Sequence, residues 1–153
     1  MNSFFPLFID VSQFKTMFIG GGRIAERRIE TLQQFGAHIV VIAPEITDGI
    51  KKLVASSLIV WIKRDYQEGD LEDPEIGMAI VATNNREVNH RAAMEARKAD
   101  IPVSVADCKE ESTFYFPGIA RKGHIVAGIT ASGLDHKAAA RVTGQIRKLL
   151  EEE

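Results

Sequence analysis

Short apolar runs alternate with amphipathic segments along the first two thirds of the chain. The apolar runs lie at residues 15–20, 38–43, 58–62, 77–82 and 101–105. Continuous apolar runs of this length are typical of parallel strands that are buried on both faces. Segments with apolar residues at helical spacing, at residues 23–36, 45–55 and 86–99, separate several of them. This alternation predicts an α/β fold with a Rossmann-like doubly wound parallel sheet.

The pattern changes in the last third of the chain, after a dinucleotide-binding Rossmann-like domain that we place at residues 1–112. Residues 113–117 and 124–130 predict two short strands joined by a basic turn, and Asp135 can cap a following helix. The apolar stripe of that helix consists of Val142, Ile146, Leu149 and Leu150. One β-hairpin and one helix cannot bury their own apolar surfaces. Residues 113–153 are therefore predicted to be a dimerisation segment that pairs with a second copy of the chain.

The beginning of the chain and its composition exclude several classes of protein. Residues 4–10, broken by Pro6, predict an edge segment that covers the sheet, and no basic residue precedes them as a secretory signal would require. The chain has no apolar run long enough to span a membrane, and its net charge of −2 argues against a nucleic-acid partner. The single cysteine, Cys108, cannot form an internal disulfide, which favours a reducing, cytoplasmic location.

A glycine-rich turn lies between the first predicted strand and the first predicted helix. Gly20, Gly22 and Ala25 follow the G-x-G-x-x-G/A spacing. In this spacing the first glycine permits a tight turn, the second lets the backbone approach a pyrophosphate, and the third position keeps the helix close to the strand. The N–H groups that begin the helix then face the phosphates. The spacing predicts dinucleotide binding, and a plain structural turn is the alternative.

The acid that usually contacts the adenosine ribose is missing from its expected position. An Asp or Glu about 20 residues after the first glycine normally accepts a hydrogen bond from the ribose 2′-hydroxyl. Ile42, Ala43 and Pro44 occupy that position here, and the first acid is Glu45. Because no arginine lies there to bind a 2′-phosphate either, the sequence favours NAD over NADP.

Polar residues follow the fourth and fifth predicted strands, at the edge where open α/β sheets bind ligands. Thr83 and Asn84 follow the fourth strand, and Asp107 follows the fifth. A carboxylate beside a nicotinamide can act as a general base, although an aspartate here can equally be a turn or cap residue. Asn89 lies beside the buried face of the next helix, near the cofactor edge, or is a surface amide. Ser132 can hydrogen-bond a ligand carboxylate or simply occupy a turn.

Basic residues cluster in the predicted dimerisation segment. They are Arg121, Lys122, Lys137 and Arg141. Such a cluster in a slightly acidic chain can attract a polyanionic small molecule, with a solvated surface as the alternative. The four histidines do not have the spacing of a metal-ligand set, so no metal site is predicted.

A series of short motifs runs along the chain. They are Phe5-Pro6-Leu7, Gly20-Gly21-Gly22 with Ala25-Glu26-Arg27, Val41 to Glu45, Ala82-Thr83-Asn84 with Val88-Asn89, Val105 to Asp107, Phe114 to Pro117, and Ser132-Gly133. In this order, over residues 4–148, they resemble the precorrin-2 dehydrogenase family, which forms the N-terminal module of siroheme synthases. The chain departs from the family where Leu134 replaces a second glycine and where His136 and Lys137 replace Ser-Pro.

The resemblance implies NAD-dependent oxidation of precorrin-2, a tetrapyrrole, to sirohydrochlorin in siroheme or cobalamin biosynthesis, by a homodimer. Asp107 matches the family's catalytic aspartate, which takes a proton while hydride leaves the macrocycle. The residues implied at the cofactor are Gly20, Gly22, Arg23 and Ile24 at the pyrophosphate, Ala43 and Pro44 at the adenosine, and Thr83 and Asn84 at the nicotinamide. Those implied at the substrate are Ser132, Arg121 and Lys137. Residues 113–153 would then also form part of the substrate cleft.

Two alternatives stay open. Some members of the resembling family also insert iron, which would make this chain a bifunctional dehydrogenase and sirohydrochlorin ferrochelatase. The other alternative is a non-catalytic, nucleotide-sensing Rossmann domain, which would bind nucleotides but no macrocycle. The presence of both Asp107 and Ser132 favours an enzyme over a sensor.

Overall fold

The structure is a computed structural model that describes residues 4–153. These residues form two compact units. The larger unit comprises residues 9–114, and the smaller unit comprises residues 4–8 together with residues 115–153.

The larger unit is built on a five-stranded parallel sheet. Its strands are β1 (Lys15–Ile19), β2 (His38–Ile42), β3 (Val60–Ile62), β4 (Ile76–Val81) and β5 (Val103–Val105). Its α-helices are α1 (Arg23–Gln33), α2 (Asp48–Ala55) and α3 (Arg86–Lys98), and short 3₁₀ turns lie at Val11–Gln13 and Lys109–Glu111. The strand order is β3-β2-β1-β4-β5, the order of a Rossmann-like doubly wound sheet. The predicted fold class is confirmed.

Apolar side chains on both faces of the central strands form the core. Phe18 of β1 pairs in register with Val41 of β2 and with Ile80 of β4, and all three side chains are fully buried. β-Branched and aromatic residues fit this pleated, doubly covered surface, which is why the apolar runs become strands. The strands therefore end together at a rigid edge, where the polar residues of the site begin.

Helices α1 and α3 each bury one face, and the buried face of α3 carries mostly alanines. Ala25, Ile29 and Leu32 of α1 are buried, as the helical spacing predicts. The buried residues of α3 are Asn89, Ala92, Ala93 and Ala96. The alternative that Asn89 is a surface amide is therefore wrong: its side chain is buried, and its hydrogen bonds compensate for the loss of water.

Two connections differ from their predicted form. Helix α2 begins at Asp48 rather than at residue 45, because the Thr47 hydroxyl caps it by accepting from Ile50 N at 3.2 Å. The polar residues 63–75, between β3 and β4, would be expected from their polarity to be a solvated connection, but they form an ordered loop. Arg64 contacts both carboxylate oxygens of Asp70, at 2.8 and 2.6 Å, so a two-point ion pair closes this loop.

The smaller unit contains an antiparallel hairpin of β6 (Gly118–Lys122) and β7 (Ile125–Ile129), followed by helix α4 (His136–Glu152). The predicted hairpin plus helix is confirmed. Its first strand lies later than residues 113–117, because Pro117 cannot donate to a ladder. The basic residues Arg121 and Lys122 consequently belong to β6 rather than to the turn.

Helix α4 leaves part of its predicted apolar stripe uncovered. Asp135 caps the helix as predicted, accepting from Ala138 N at 2.8 Å. Leu150 is buried, but Leu149 is 54% exposed. The unit therefore has too few partners of its own for all the apolar side chains that it carries.

The apolar lead-in at residues 4–10 is exposed. Phe5 is 87% exposed, and Leu7 and Phe8 are also largely exposed. Phe4 instead stacks on Tyr115 within the smaller unit, with ring centroids 4.1 Å apart. Residues 4–10 form no strand, since Pro6 cannot donate to a ladder, and the covering edge segment stays a prediction. Within residues 4–153, no helix combines the length and apolar character needed to cross a bilayer.

Candidate dinucleotide and catalytic site

Gly20 makes the tight turn that leads from β1 toward α1. Its φ is +111°, a conformation that L side chains rarely adopt, and a Cβ at this position would overlap the carbonyl oxygen of Ala82. The Gly20 N–H donates to the carbonyl of Ile42 at 3.0 Å. The first glycine of the motif therefore lets the ends of β1, β2 and β4 meet closely.

Gly22 begins α1 and leaves open space in front of the helix. It is the N-cap residue of α1, and a Cβ built on it would meet nothing within 4 Å among the described residues. The N–H groups of the first helical turn have no intrahelical partners, so they can donate to an anion that approaches there. This open surface fits the pyrophosphate of a dinucleotide.

Gly21, between the two glycines of the motif, has a packing role that the spacing does not reveal. Gly21 is buried, and a Cβ on it would lie 2.5 Å from Ile46 Cγ2. Its carbonyl accepts from Thr47 N at 3.0 Å. The glycine turn is thereby joined to the connection that follows β2. Next to it, Arg23 and Ile24 are exposed on the first turn of α1, where an approaching phosphate group can reach them.

Ala43 and Pro44, the residues implied at the adenosine, differ in exposure. Ala43 is buried, and its carbonyl accepts from the Trp61 indole N–H at 2.9 Å. Its own N–H donates to Ile62 O at 3.3 Å. Pro44 and Glu45 are exposed beyond it. Ala43 thus stabilises the end of β2, and Pro44 is the member of the pair that a ligand can touch.

The residues after β4 form an ordered polar turn. Asn84 is exposed, while Asn85 caps α3 through its Oδ1, which accepts from Glu87 N at 3.0 Å and from Val88 N at 3.2 Å. The Thr83 hydroxyl donates to Asn89 Oδ1 at 2.5 Å. The turn is therefore tied to α3 at two points, which holds Thr83 in a defined position at the sheet edge.

Asp107 lies at the end of β5 with both carboxylate oxygens held. Oδ1 accepts from Arg86 Nη1 at 2.6 Å, and Oδ2 accepts from Asn89 Nδ2 at 3.0 Å. The side chain is 41% exposed, so a ligand at this edge can reach it. The predicted catalytic residue and the predicted nicotinamide-side residue Thr83 are thereby linked through one amide, that of Asn89.

Arg86 connects Asp107 to a second acid. Arg86 Nη2 contacts Glu111 Oε2, and Glu111 Oε1 lies 2.5 Å from His90 Nδ1. Partial burial raises the pKa of Glu111, but the hydrogen bonds from His90 and Arg86 lower that pKa by more. Partial burial alone would lower the pKa of Arg86. The hydrogen bond to Glu111 and the negative charges of Asp107 and Glu111 outweigh that effect and raise this pKa. Glu111 and Arg86 therefore both stay charged at neutral pH, and Asp107 shares the Arg86 guanidinium with Glu111.

Sequence reasoning missed Arg86 and Glu111 as members of this site. The only signal for Arg86 is that it begins the helix after the polar turn at residues 83–85. Glu111 lies in the short 3₁₀ turn at Lys109–Glu111, where its residue type indicates nothing beyond a surface acid. Because the two are 25 positions apart in the chain, their contact follows only from the fold.

The three residues implied at the substrate lie in the smaller unit. Ser132 adopts a φ of +54° in the turn before α4, and its N–H donates to the Thr130 hydroxyl at 3.1 Å. Lys137 is exposed on the first turn of α4, and Arg121 is exposed on β6. Within residues 4–153, no cluster of three or more His, Cys, Asp or Glu side chains could hold a metal ion.

Comparison with known proteins agrees with this geometry. Residues 7–118 match the family described as "Putative NAD(P)-binding". Over 95% of its length the chain is 40% identical to the probable multifunctional siroheme biosynthesis protein HemA of Ruminiclostridium josui, of which it covers 28%. It is 31% identical over 96% of its length to the siroheme synthase of Nitrosomonas europaea, of which it covers 31%. The chain thus spans less than a third of these curated relatives.

A solved structure shares the fold. The structure named SirC, precorrin-2 dehydrogenase, superimposes with a TM-score of 0.79 at 23% identity, over 97% of this chain and 74% of the other. The resemblance drawn from the motifs is confirmed, and the predicted cofactor, NAD, falls in the class that the matched family binds. The chain therefore belongs to the family described as "Putative NAD(P)-binding".

Proposed function

We propose that this protein is an NAD-dependent dehydrogenase that oxidises precorrin-2 to sirohydrochlorin, with Asp107 as its general base. The observation that carries the proposal is the position of Asp107: an ionic side chain, held at both oxygens yet partly exposed, at the sheet edge beside Thr83. The names of the relatives and of the structural neighbour support this substrate class. A non-catalytic nucleotide sensor would need no carboxylate held in this way.

The residues of the larger unit divide the binding of the cofactor among them. The open N-terminus of α1 at Gly22 would receive the pyrophosphate, with Arg23 and Ile24 beside it. Thr83 and Asn84 would contact the nicotinamide end, and Pro44 the adenosine end. Bound NAD supplies an acceptor for the hydride that leaves the macrocycle. Asp107 would take the proton that the macrocycle releases as the hydride leaves.

Local charge supports NAD rather than NADP as the cofactor. The end of β2 presents Pro44 and Glu45, and a 2′-phosphate would meet the carboxylate of Glu45. Lys51, the nearest candidate cation in the following helix, is paired with Asp48 at 3.3 Å. An unpaired arginine, which would bind a 2′-phosphate with two hydrogen bonds, does not occur at residues 42–47.

The smaller unit supports the proposed substrate and a homodimer. Exposed cations at Arg121 and Lys137, with Ser132 in the turn between them, suit the carboxylates of a tetrapyrrole. The open hairpin and the exposed Leu149 indicate a surface that a second copy of the chain would cover. The reduced, partly buried thiol of Cys108 fits a cytoplasmic location.

Turnover of precorrin-2 tests the proposal directly. Purified protein is mixed with precorrin-2 and NAD under anaerobic conditions, and NADH absorbance is followed. We expect NADH formation by the wild type and a loss of at least about 100-fold in kcat for Asp107→Asn, which removes the base but keeps the shape. Asp100→Asn is the matched control, since Asp100 is exposed in the turn before β5, at the other end of that strand.

The outcomes separate the candidate functions. Full activity in Asp107→Asn would disprove the assignment of the base. Tight NAD binding without any turnover or macrocycle binding would favour the nucleotide sensor. Iron or cobalt insertion into sirohydrochlorin, measured with and without protein, would reveal the bifunctional alternative.

A further inference from the structure

We propose that Asn89 is a positioning residue, which sets Asp107 against the nicotinamide end of the cofactor by bonding both Asp107 and Thr83. This inference rests on the proposed function and goes further, because it assigns a role to a side chain that need not touch substrate or cofactor. The amide of Asn89 makes four hydrogen bonds, three to Thr83 and one to Asp107.

Every hydrogen-bonding position of the amide is used. Oδ1 accepts from the Thr83 N–H at 3.1 Å and from the Thr83 hydroxyl at 2.5 Å. Nδ2 donates to the Thr83 carbonyl at 3.1 Å and to Asp107 Oδ2 at 3.0 Å. A carboxamide has two donor hydrogens and two acceptor lone pairs, so this arrangement saturates it.

The contacts allow only one orientation of the amide. If its oxygen and nitrogen exchanged places, the oxygen would face the Thr83 carbonyl and the Asp107 carboxylate, which are both acceptors. The nitrogen would then face the Thr83 N–H, which is a donor. Since the side chain is fully buried, water cannot relieve such a mismatch. The amide is therefore fixed, and it fixes the groups bonded to it.

Asn89 and Arg86 differ in what they can contribute to Asp107. The side chain of Arg86 is 46% exposed, and its guanidinium divides its hydrogen bonds between Asp107 and Glu111. Asn89 is inaccessible to solvent and bonds the end of β4 as well as Asp107. Arg86 can exchange partners with a passing anion, whereas Asn89 cannot. Asn89 is thus the residue that fixes the position of the Asp107 carboxylate.

Neither aspartate nor leucine, whose side chains have nearly the same shape as that of asparagine, could replace Asn89. An ionised aspartate would face Asp107 Oδ2 across 3.0 Å as a like charge. A leucine would leave the Thr83 N–H and carbonyl, and one oxygen of Asp107, without the bonds that Asn89 makes. The requirement is for one group that donates on one side and accepts on the other.

A double-mutant cycle between Asn89 and Asp107 tests the inference. The rate constant of NADH formation is measured in single turnovers for the wild type, Asn89→Leu, Asp107→Asn and the double variant, each shown to be folded by circular dichroism. We expect Asn89→Leu to slow the step by about 100-fold in the wild-type background, because misplacement of a reacting group by about 1 Å costs that much. In the Asp107→Asn background the same change should cost no more than about threefold, since Asn89 acts through Asp107.

A second variant and a binding measurement separate the two halves of the network. In Asn89→Asp one carboxylate oxygen can still accept from the Thr83 N–H and hydroxyl, but the other cannot donate to Asp107, so the rate should fall while NAD binding is kept. In Asn89→Leu, NAD binding should weaken more than ADP-ribose binding, because ADP-ribose lacks the nicotinamide that Thr83 would contact. Calorimetry of both ligands gives this ratio without any turnover.

Leu71→Ala is the control for general destabilisation. Leu71 is buried in the connection before β4 and makes no contact with Thr83, Asn89 or Asp107 among the hydrogen bonds of the described residues. This variant should lower the melting temperature and leave both the rate constant and the ratio of NAD to ADP-ribose affinity unchanged.

Two results would overturn the inference. One is an equal loss from Asn89→Leu in both backgrounds of the cycle; the other is an unchanged ratio of NAD to ADP-ribose affinity. If the wild type gives no NADH from precorrin-2, the proposed function fails instead. In that case the binding ratio alone decides: a changed ratio upholds the coupling of Asn89 to the nicotinamide side, and an unchanged ratio rejects it.

Discussion

Two regions differ in whether their side chains find partners within the chain. They are the carboxyl edge of the five-stranded sheet and the hairpin–helix unit. At the sheet edge, polar groups are saturated within the unit: Asn89 uses all four of its hydrogen-bonding positions, and Asp107 is held at both oxygens. In the hairpin–helix unit, Ile125, Leu134 and Leu149 are each more than half exposed. The polar groups of the first region have partners within the chain, whereas these apolar side chains of the second region are left exposed.

The difference follows from the number of layers in each region. The sheet of the larger unit has helices on its faces, so its central strands are buried on both sides and end at a shared, rigid edge. The hairpin has two strands and one helix, which covers one face at most. Rigid elements suit the positioning of reacting groups, whereas an uncovered apolar face suits association.

The largest expected effect on stability comes from a substitution in the glycine turn at the sheet edge. Gly20→Ala forces a Cβ into the Ala82 carbonyl at a φ of +111°, so we expect the free energy of unfolding to fall by about 3 kcal/mol. Gly36→Ala is the control for the conformation alone: its φ is +74°, nothing lies within 4 Å of its Cβ among the described residues, and the cost should be about 1 kcal/mol. Urea denaturation measures both changes.

Gly22→Ala separates the two roles of the glycine turn. Gly22 has an ordinary φ of −84°, and a Cβ on it meets none of the described residues within 4 Å. The free energy of unfolding should therefore change little, while the affinity for NAD should fall at least about tenfold, because the methyl group occupies the approach to the helix N-terminus. For the two variants of the preceding paragraph, equal losses of stability in Gly20→Ala and Gly36→Ala would show that the contact of the new Cβ with the Ala82 carbonyl adds no cost.

The next prediction tests whether a second copy of the chain covers the exposed apolar side chains of the hairpin–helix unit. Leu149 and Leu58 are almost equally exposed, at 54% and 55%, but they lie in the smaller and the larger unit respectively. We expect Leu149→Lys to weaken the proposed homodimer at least about tenfold, because it places a charge in an apolar contact. Leu58→Lys should have no effect on association. Analytical ultracentrifugation over a range of concentrations measures both, and a monomeric wild type would refute the homodimer.

The fold could be predicted from the sequence where local pattern and burial agree. The central apolar runs became buried strands because both of their faces are covered, and Gly20 and Ala25 lie where the motif requires them. Residues 113–117 show the limit. Their aromatic residues predict a strand, but the side chains of Ser112 and Thr113 bond the backbone of β5 instead, with Thr113 Oγ1 accepting from Val103 N at 2.8 Å. Tertiary contacts overrode the local preference.

The members of the site could be predicted only in part. Asp107 and Thr83 follow apolar runs, so a rule about strand ends finds them. Asn89 lies at the margin of a helical stripe, where spacing alone does not distinguish a buried amide from an exposed one. Its partners lie 6 and 18 positions away in the chain, and they face it only after β4 and β5 have paired. Arg86 depends on the fold in the same way.

The smallest expected effect compares one buried threonine from each unit. Thr16 in β1 is fully buried, and its Oγ1 has no hydrogen-bond partner among residues 4–153. Thr16→Val keeps the shape and removes a desolvated hydroxyl, so we expect the free energy of unfolding to rise by about 1 kcal/mol. Valine also suits a central strand. Thermal unfolding should show a melting temperature higher by about 2–4 °C.

Thr143 in α4 is the matched residue of the smaller unit. It is also buried, but its hydroxyl donates to the Ala139 carbonyl at 2.7 Å. Thr143→Val therefore removes a satisfied hydrogen bond and should lower the free energy of unfolding by up to about 1 kcal/mol. A destabilised Thr16→Val variant would mean that the Thr16 hydroxyl has a partner, such as a buried water. The same chemical change should thus have opposite signs in the two units, because its effect depends on whether the hydroxyl is bonded and not on burial alone.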